Sequence, residues 1–499
     1  MKVAPRGRTA SLHSLCGTLV LTAGLWLLGG CRPAVSPTVR PESGTVQLAD
    51  ADRILVLAPH PDDEVLGAGG VLREAVRRGL PVRVVFLTNG DSNEWSFLAY
   101  HKRPVFFPRA VLAMGSIRQR EAQTAAATLG VPARDLSFLG YPDYGTLSIW
   151  RAHWSARPPG RGRLTRATAV PYPTAYRPGA PFKGEEILAD LEAILRQFRP
   201  TRIFVSHPAD HHPDHAALYL FTRVALWDVQ DEVTAALHPF LVHYPRWPRE
   251  KGFRPGQELA PPSKLLAGFR WQSRELTGED VDAKRLALAA HHTQYGYSAS
   301  RLLPFVRTNE LYGDLIVPVL APGGEVVRLL DDSGGTEPVV QDGEEQTSEV
   351  VDLQDLTVRL VRDQVEIAAN LERPLPEGSA VTLCAFGYRP DRPFGAMPKL
   401  AVRVEPHAYT VADQERALPR ATVRAVASGS KLVARIPLAA LGDPRHLFLR
   451  AQTSTPRAPL GQTPWWVVEL RGTSVETAAL SRPSVAETTA AGVAAPHPR

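Results

Sequence analysis

Two apolar, β-rich runs in this chain each end in a cluster of ionisable residues, and this pairing restricts the fold more than any other feature. "RILVLA" (53–58) runs into "PHPDDE" (59–64), and "TRIFVSH" (201–207) runs into "PADHHPDH" (208–215). A continuous β-branched run is what a strand buried on both faces looks like, as in a parallel sheet. Helical and strand patterns alternate around them. Helices are predicted at 64–79, 117–130, 184–198, 213–226 and near 278–294. Strands are predicted at 81–90, 136–141 and near 239–244. Such alternation means an α/β fold with an open, mostly parallel sheet and helices on both faces. In these sheets ligands bind outside the carboxyl ends of the strands. Both clusters therefore face one edge, joined there by "LTNGD" (87–91) and "LGYPD" (139–143).

The residue types at that edge point to metal chemistry. His60 and Asp63 lie three positions apart at a strand-to-helix bend, and His215 from the distant cluster completes a set of two histidines and one aspartate. Three protein ligands with an open fourth position is the pattern of catalytic zinc. Such a metal lowers the pKa of bound water and polarises a carbonyl. Asp62, the spare carboxylate, is placed to take the water's proton. His212, on the other cluster, is placed to stabilise an oxyanion and protonate a leaving nitrogen. Pro61 and Pro213 stiffen the two turns. Helix N-termini favour Asp and Pro for capping alone, so neither cluster is decisive singly. The argument rests on the two together, each behind a β-rich strand.

The pattern "APHPDDEVLGAGG" followed by the distal "HHPDHAA" resembles the PIG-L, or LmbE-like, deacetylases. "LTNGD", "RQREA" (118–122), "LGYPD" and "KRLALAAHHTQ" (284–294) extend the likeness over about 50–300. Pro59, standing between the usual Ala and His, is a departure. The resemblance implies a Rossmann-like fold and a divalent metal, zinc first. It also implies removal of acetyl from an N-acetylated amino sugar of N-acetylglucosamine type, in a glycan, glycolipid or glycoside. By it, His60, Asp63 and His215 are metal ligands, Asp62 is the general base, and His212 is the electrostatic catalyst with Asp214 tuning it. Asn89 and Arg118 are candidate substrate-binding groups, and Asp143 and Asp210 are candidates either to bind substrate or to stand behind the metal ligands. An amidase acting on another amide, or an inactive glycan-binding lipoprotein, are the alternatives.

Outside this region the chain is read by composition. "MKVAPRGRTASLHS" is basic, and the following "LCGTLVLTAGLWLLGG" is short for a membrane span of about 20 residues. "LGGC" (28–31) resembles the lipobox of bacterial lipoproteins. Residues 1–31 are therefore expected to be a lipoprotein signal peptide, with Cys31 lipidated and 32–49 a tether. The protein is then an exported, membrane-anchored lipoprotein of the cell envelope. Cys384 is the only other cysteine past the signal, so no disulfide framework is expected. The net charge of +6 is too diffuse to argue for nucleic acid. Two aromatic- and Arg-rich inserts, 92–115 and 144–184, follow strand ends on the catalytic edge and read either as walls of a glycan cleft or as a hydrophobic cover for the sheet edge. The deacetylase domain is assigned to 50–320. From 321 to 472, short strands spaced by Pro/Gly turns predict a β-sandwich-like accessory domain. Residues 473–499, rich in Ala, Thr and Pro, are expected to be a disordered tail.

Overall fold

A computed structural model describes residues 44–102, 106–331, 351–455 and 459–472. The signal peptide, Cys31, most of the tether and the tail lie outside these residues. Among the described residues no helix is long and apolar enough to cross a membrane.

The first region contains, in chain order, β1 (Gly44–Thr45), β2 (Ile54–Ala58), α1 (Asp63–Arg77), β3 (Val82–Thr88), α2 (Glu94–His101), α3 (Pro108–Thr128), β4 (Leu136–Tyr141) and α4 (Thr146–Ala152). Then come α5 (Gly184–Phe198), β5 (Arg202–Ser206), α6 (Pro213–Asp228), β6 (Ala236–Phe240), β7 (Phe269–Glu275), α7 (Gly278–Ala289), α8 (His292–Leu302) and β8 (Asn309–Leu315). One sheet joins the strands in the order β1-β7-β8-β6-β5-β2-β3-β4. The run β4-β3-β2-β5-β6 is parallel throughout; β8 is antiparallel to β6 and β7. The α/β architecture with a mostly parallel sheet is thus present. The chain builds from β2 outward to β4, then crosses back through α5 to β5 on the other side of β2. Such a reversal opens a crevice at the carboxyl ends of the two central strands. His60 follows β2 and His207–His215 follows β5, so the topology alone brings the two clusters together.

Beyond β7, β8 and the short α4, which the sequence reading did not expect, three differences bear on the catalytic edge. The first insert is helical, as α2 and the first turns of α3. Asn93 caps α2 by accepting the Ser96 N–H, and Pro108 stands at the start of α3. Aromatic composition hid that helical periodicity. β6 stops at Phe240, leaving 241–244 as a loop on the catalytic edge. The late helix breaks after Ala289, where His291 turns inward, and resumes as α8.

The interior of α1 is interrupted at Ala68, whose φ of −143° is not helical. Close packing explains it: a Cβ on Gly67 would lie 2.3 Å from the Phe240 ring, and one on Gly70 2.2 Å from Leu276. The broken turn frees backbone groups, and a buried ion pair satisfies them. Glu310 accepts the N–H groups of Gly70 and Val71 at 2.8 and 3.1 Å. Lys284 donates to the Leu66 carbonyl at 2.9 Å and to Glu310 at 2.7 Å. Replacing Lys284 with Met strands the Glu310 charge in the core. Urea denaturation is expected to report a loss of about 3–5 kcal/mol, the usual cost of breaking a buried pair. A loss under about 1 kcal/mol would show that the pair does not carry the broken turn.

The second region is strand-rich. It comprises β9 (Val319–Leu320), β10 (Val327–Asp331), β11 (Leu353–Val361), β12 (Gln364–Leu371), β13 (Ala380–Tyr388), β14 (Lys399–Val404), β15 (Tyr409–Asp413), β16 (Arg416–Leu418), β17 (Arg424–Ser428), β18 (Lys431–Pro437), β19 (His446–Ser454), β20 (Pro459–Gln462) and β21 (Trp466–Leu470). They form two sheets, β10-β11-β12-β18-β17 and β16-β15-β14-β13-β19-β21-β9 with β20 on β19, a sandwich-like arrangement. Cys384 is buried and unpaired in β13. Trp150 and Trp154 of the first region pack with Phe394, and Trp227 stacks on His446 at 4.3 Å. The two regions share one apolar core.

Candidate metal centre and catalytic edge

The turn after β2 is built to hold a carboxylate in an unusual place. Asp62 has φ 125° and ψ −31°, a conformation that non-glycine residues keep only where their surroundings over-determine it. Those surroundings are explicit. Glu64 accepts the Asp62 N–H at 2.8 Å and pairs with His291 Nε2 at 2.9 Å. Arg118 donates to the carbonyls of Pro61 and Gly90, both at 2.6 Å, and its guanidinium lies 3.4 Å from Asp62 Oδ2. Burial pushes the Asp62 carboxyl up to about 7, with Arg118 pulling the other way and the Asp63 charge adding to the rise.

Asp63 opens α1 and joins the two clusters. Its Oδ2 lies 3.1 Å from His60 Nδ1 and 3.0 Å from His215 Nε2. Donor atoms bound to one zinc at about 2.0–2.1 Å in tetrahedral geometry sit about 3.3 Å apart. Behind the histidines stand further acids. His60 Nε2 lies 3.2 Å from both Asp143 and Asp214, and His215 Nδ1 lies 3.0 Å from Asp210. Burial opposes protonation of His60, but these carboxylates hold its imidazole well above the ordinary range. Although acid oxygens lie 3.0 Å from both ring nitrogens of His215, neither nitrogen makes an aligned hydrogen bond. Four buried carboxylates around two imidazoles, with the His215 nitrogens lacking aligned hydrogen-bond partners, have the donor chemistry of a cation site. Donor atoms of His60, His212 and His215 lie within 4.8 Å of one another, as do those of Asp63, His215 and His243; this His/Asp set fits a divalent metal ion, with the outer carboxylates placed to orient metal-bound histidines.

His212 caps α6, its Nδ1 accepting the Asp214 N–H at 3.3 Å. Burial, with His60 next, holds its pKa well below the ordinary value. A neutral ring that accepts at Nδ1 carries its proton on Nε2, as a donor. The ring stands edge-on to His60 at 4.5 Å and lies 4.4 Å from Tyr144. The Asp214 carboxylate is 3.9 Å from His212 Nδ1. It is gripped instead by Tyr144 N–H, Thr146 N–H and Thr146 Oγ1 at 2.6, 3.0 and 2.5 Å.

The four candidate substrate groups fall in different places. Asn89 is 1% exposed, and neither its amide oxygen nor its nitrogen has a partner among the described residues. Arg118 braces the Asp62 turn. Asp143 lies beside His60 and accepts the Ser92 N–H at 2.7 Å. Asp210 sits behind His215, accepting from the N–H groups of His212, Val242 and His243. His243 was missed by the sequence reading. Its ring is 4.7 Å from His215 and 5.1 Å from His212, and it groups with Asp63 and His215 as a possible donor. The signal was there, a histidine just beyond a strand on the catalytic edge, but a strand drawn to 244 absorbed it. From the inserts, Arg163 stacks on Tyr144 at 5.4 Å and pairs with Glu94 at 3.0 Å, while Asn93 donates to Tyr297 at 2.8 Å. Tyr144 and Trp95 remain exposed.

Residues 55–226 match the family model described as PIG-L: GlcNAc-PI de-N-acetylase. That stretch, β2 to α6, holds His60, Asp62, Asp63, His212 and His215. The 1D-myo-inositol 2-acetamido-2-deoxy-alpha-D-glucopyranoside deacetylase of Mycobacterium sp. (strain KMS) is 33% identical over 184 residues, 36% of this chain and 52% of the relative. A deacetylase of the same description (numbered 1) from Saccharopolyspora erythraea is 33% identical over 188 residues, 36% of this chain and 55% of the relative. The probable N-acetyl-alpha-D-glucosaminyl L-malate deacetylase 2 of Bacillus cereus is 29% identical over 167 residues, 33% of this chain and 56% of the relative. The chain spans about half the length of these curated relatives. Over β2 to α6 the chain is thus similar to the PIG-L family model and to these deacetylases.

Proposed function

We propose that this protein is a metal-dependent N-deacetylase, hydrolysing the acetamide of an N-acetylated amino sugar of N-acetylglucosamine type. The observation that carries this reading is that Asp63 Oδ2 lies 3.1 Å from His60 Nδ1 and 3.0 Å from His215 Nε2, with Asp62 beside it in the chain and the His212 ring 4.5 Å from that of His60. The deacetylase names of the relatives support the substrate class. Zinc bound by His60, Asp63 and His215 would supply a Lewis acid that acidifies water and polarises the acetyl carbonyl. Asp62 takes a proton from the attacking water as its oxygen bonds to the carbonyl carbon. His212 offers Nε2–H to the oxygen on which negative charge develops. The C–N bond then breaks as the proton taken by Asp62 passes to the nitrogen, which leaves as the amine, with acetate as the other product. Asp214 and Asp143 keep His60 oriented, and Asp210 does the same for His215. The test is an acetate-release screen on N-acetylated sugars and glycans with metal analysis of the same sample. Acetate release that tracks zinc content supports the reading; metal-free protein that releases acetate at the full rate refutes it.

The reading of the N-terminus is part of the proposal: export, signal cleavage before Cys31 and lipid attachment to its thiol, which would tether the protein to a membrane. It rests on "LGGC" and the apolar run before it. Cys31→Ser is expected to release folded protein from membranes or to leave the signal uncleaved. Fractionation with intact-mass measurement decides it, and unchanged membrane association at the wild-type processed mass excludes a lipid on Cys31.

A further inference from the structure

The carboxylates behind the metal ligands are held by segments that rest on the C-terminal strand region. Asp214, beside His60, is gripped by Tyr144 and Thr146, and Thr146 is the first residue of α4. A helix of seven residues is too short to be stable by itself; packing must set its position. One turn after Thr146, α4 carries the fully buried Trp150. Its ring lies 6.2 Å from Phe386 on β13, 4.8 Å from Phe394 and 5.2 Å from Phe448 on β19.

The second support reaches Asp210. The segment between β5 and α6 has no regular structure of its own, and its Pro208 carbonyl accepts the backbone N–H of Trp465 at 3.3 Å. Trp465 and Arg450 line one small cavity with Pro208, Asp210 and His211. The Arg450 guanidinium lies 5.6 Å from the Trp465 ring centre, and that ring lies 5.3 Å from Phe386. A single side chain of the second region, Phe386, therefore touches both supports.

We propose that the C-terminal strand region is a positioning part of the metal centre. Phe386, through Trp150 and Trp465, fixes α4 and the 207–212 segment, and so holds Asp214 behind His60 and Asp210 behind His215. The inference rests on the metal-centre reading above. Partners of this kind typically change metal affinity by about 10–100-fold.

The experiment is a zinc titration of the full chain, stripped of metal, against a competing chelator, with thermal unfolding of the same samples. Phe386→Leu keeps an apolar side chain but withdraws the ring from both supports. Thr146→Val removes only the hydroxyl that grips Asp214. Val358→Ala, on β11 of the other sheet, loosens the strand region away from both supports. Weaker zinc binding by about tenfold or more is expected for Phe386→Leu and Thr146→Val, with wild-type affinity for Val358→Ala despite a lower melting temperature. Trp150→Phe carries the same test if Phe386→Leu does not fold. Wild-type affinity in folded Phe386→Leu overturns the positioning role, and so does an equal loss in all three variants, which would reflect general loosening. Wild-type protein that takes up no zinc overturns instead the metal-centre reading, a result separable from the other two.

Discussion

Replacing Asp63 with Ala is expected to leave the protein without stoichiometric zinc. Its Oδ2 is the atom shared by the two halves of the centre, 3.1 Å from His60 Nδ1 and 3.0 Å from His215 Nε2. The same oxygen accepts the His60 backbone N–H at 3.0 Å, so the substitution removes a ligand and frees the residue beside it. His60→Ala and His215→Ala each leave a two-ligand set and are expected to lose the metal as well. Asp210→Asn should behave differently. It keeps every ligand and weakens only the orientation of His215, so zinc should bind about 10–100-fold more weakly without vanishing. Metal analysis after dialysis against a chelator, with circular dichroism to establish folding, gives the answer. Zinc should also raise the melting temperature of wild-type protein, because a ligand that binds only the native state stabilises it by mass action. It should not raise that of the three Ala variants. Full occupancy in all three would sink the ligand set.

How much of this site was legible in the sequence depends on which physical signal each part left. His60, Asp62 and Asp63 were legible because a strand buried on both faces is an unbroken apolar run, and charge at its end is conspicuous. The same holds for His212 and His215 after β5. The strand–helix alternation then sufficed to bring the two runs to one edge, and α5 and β4 were read with the boundaries they have in the structure. What stayed hidden was set by tertiary contacts. The break in α1 depends on Phe240 and Leu276 pressing on Gly67 and Gly70, and the Lys284–Glu310 pair that repairs it joins residues with no local pattern to link them. For Asp210 the sequence leaves both a substrate role and a place behind a ligand open, because its position in "PADHHPDH" gives no hint of the three backbone amides that turn it toward His215. His243 was concealed by a strand boundary drawn a few residues late. The strand-rich region was visible as short alternating runs, but its hold on α4 runs through Trp150, an aromatic residue inside what composition alone presents as a loop.

Asp62→Asn is expected to separate metal binding from turnover. The substitution keeps the size and shape of the side chain while removing its capacity to take a proton. Asn also tolerates positive φ better than most residues, and the backbone restraints at this turn come from Glu64 and Arg118, which contact the Asp62 N–H and the Pro61 carbonyl and do not need the carboxylate. The turn should therefore persist, and zinc content should match wild type. Folding should not suffer either. Burial is the largest influence on this carboxyl and pushes it up to about 7, so a neutral side chain at this position relieves a desolvation cost. Turnover is another matter. Loss of a general base typically lowers the rate by about 10²–10⁴-fold, and the neighbouring acids among the described residues have other partners. Asp63 is committed to His60 and His215, Asp143 to His60 and the Ser92 amide, and Glu64 to His291 and the Asp62 amide. The expected result is a fall in kcat of that size, with KM for the N-acetylated sugar within a few-fold of wild type, since Asp62 acts on water and not on the sugar. Steady-state acetate release and metal analysis on one preparation measure both quantities. A zinc-loaded Asp62→Asn protein turning over within a few-fold of wild type would place the base elsewhere, and an inactive one that has also lost its zinc would make Asp62 part of the ligand set.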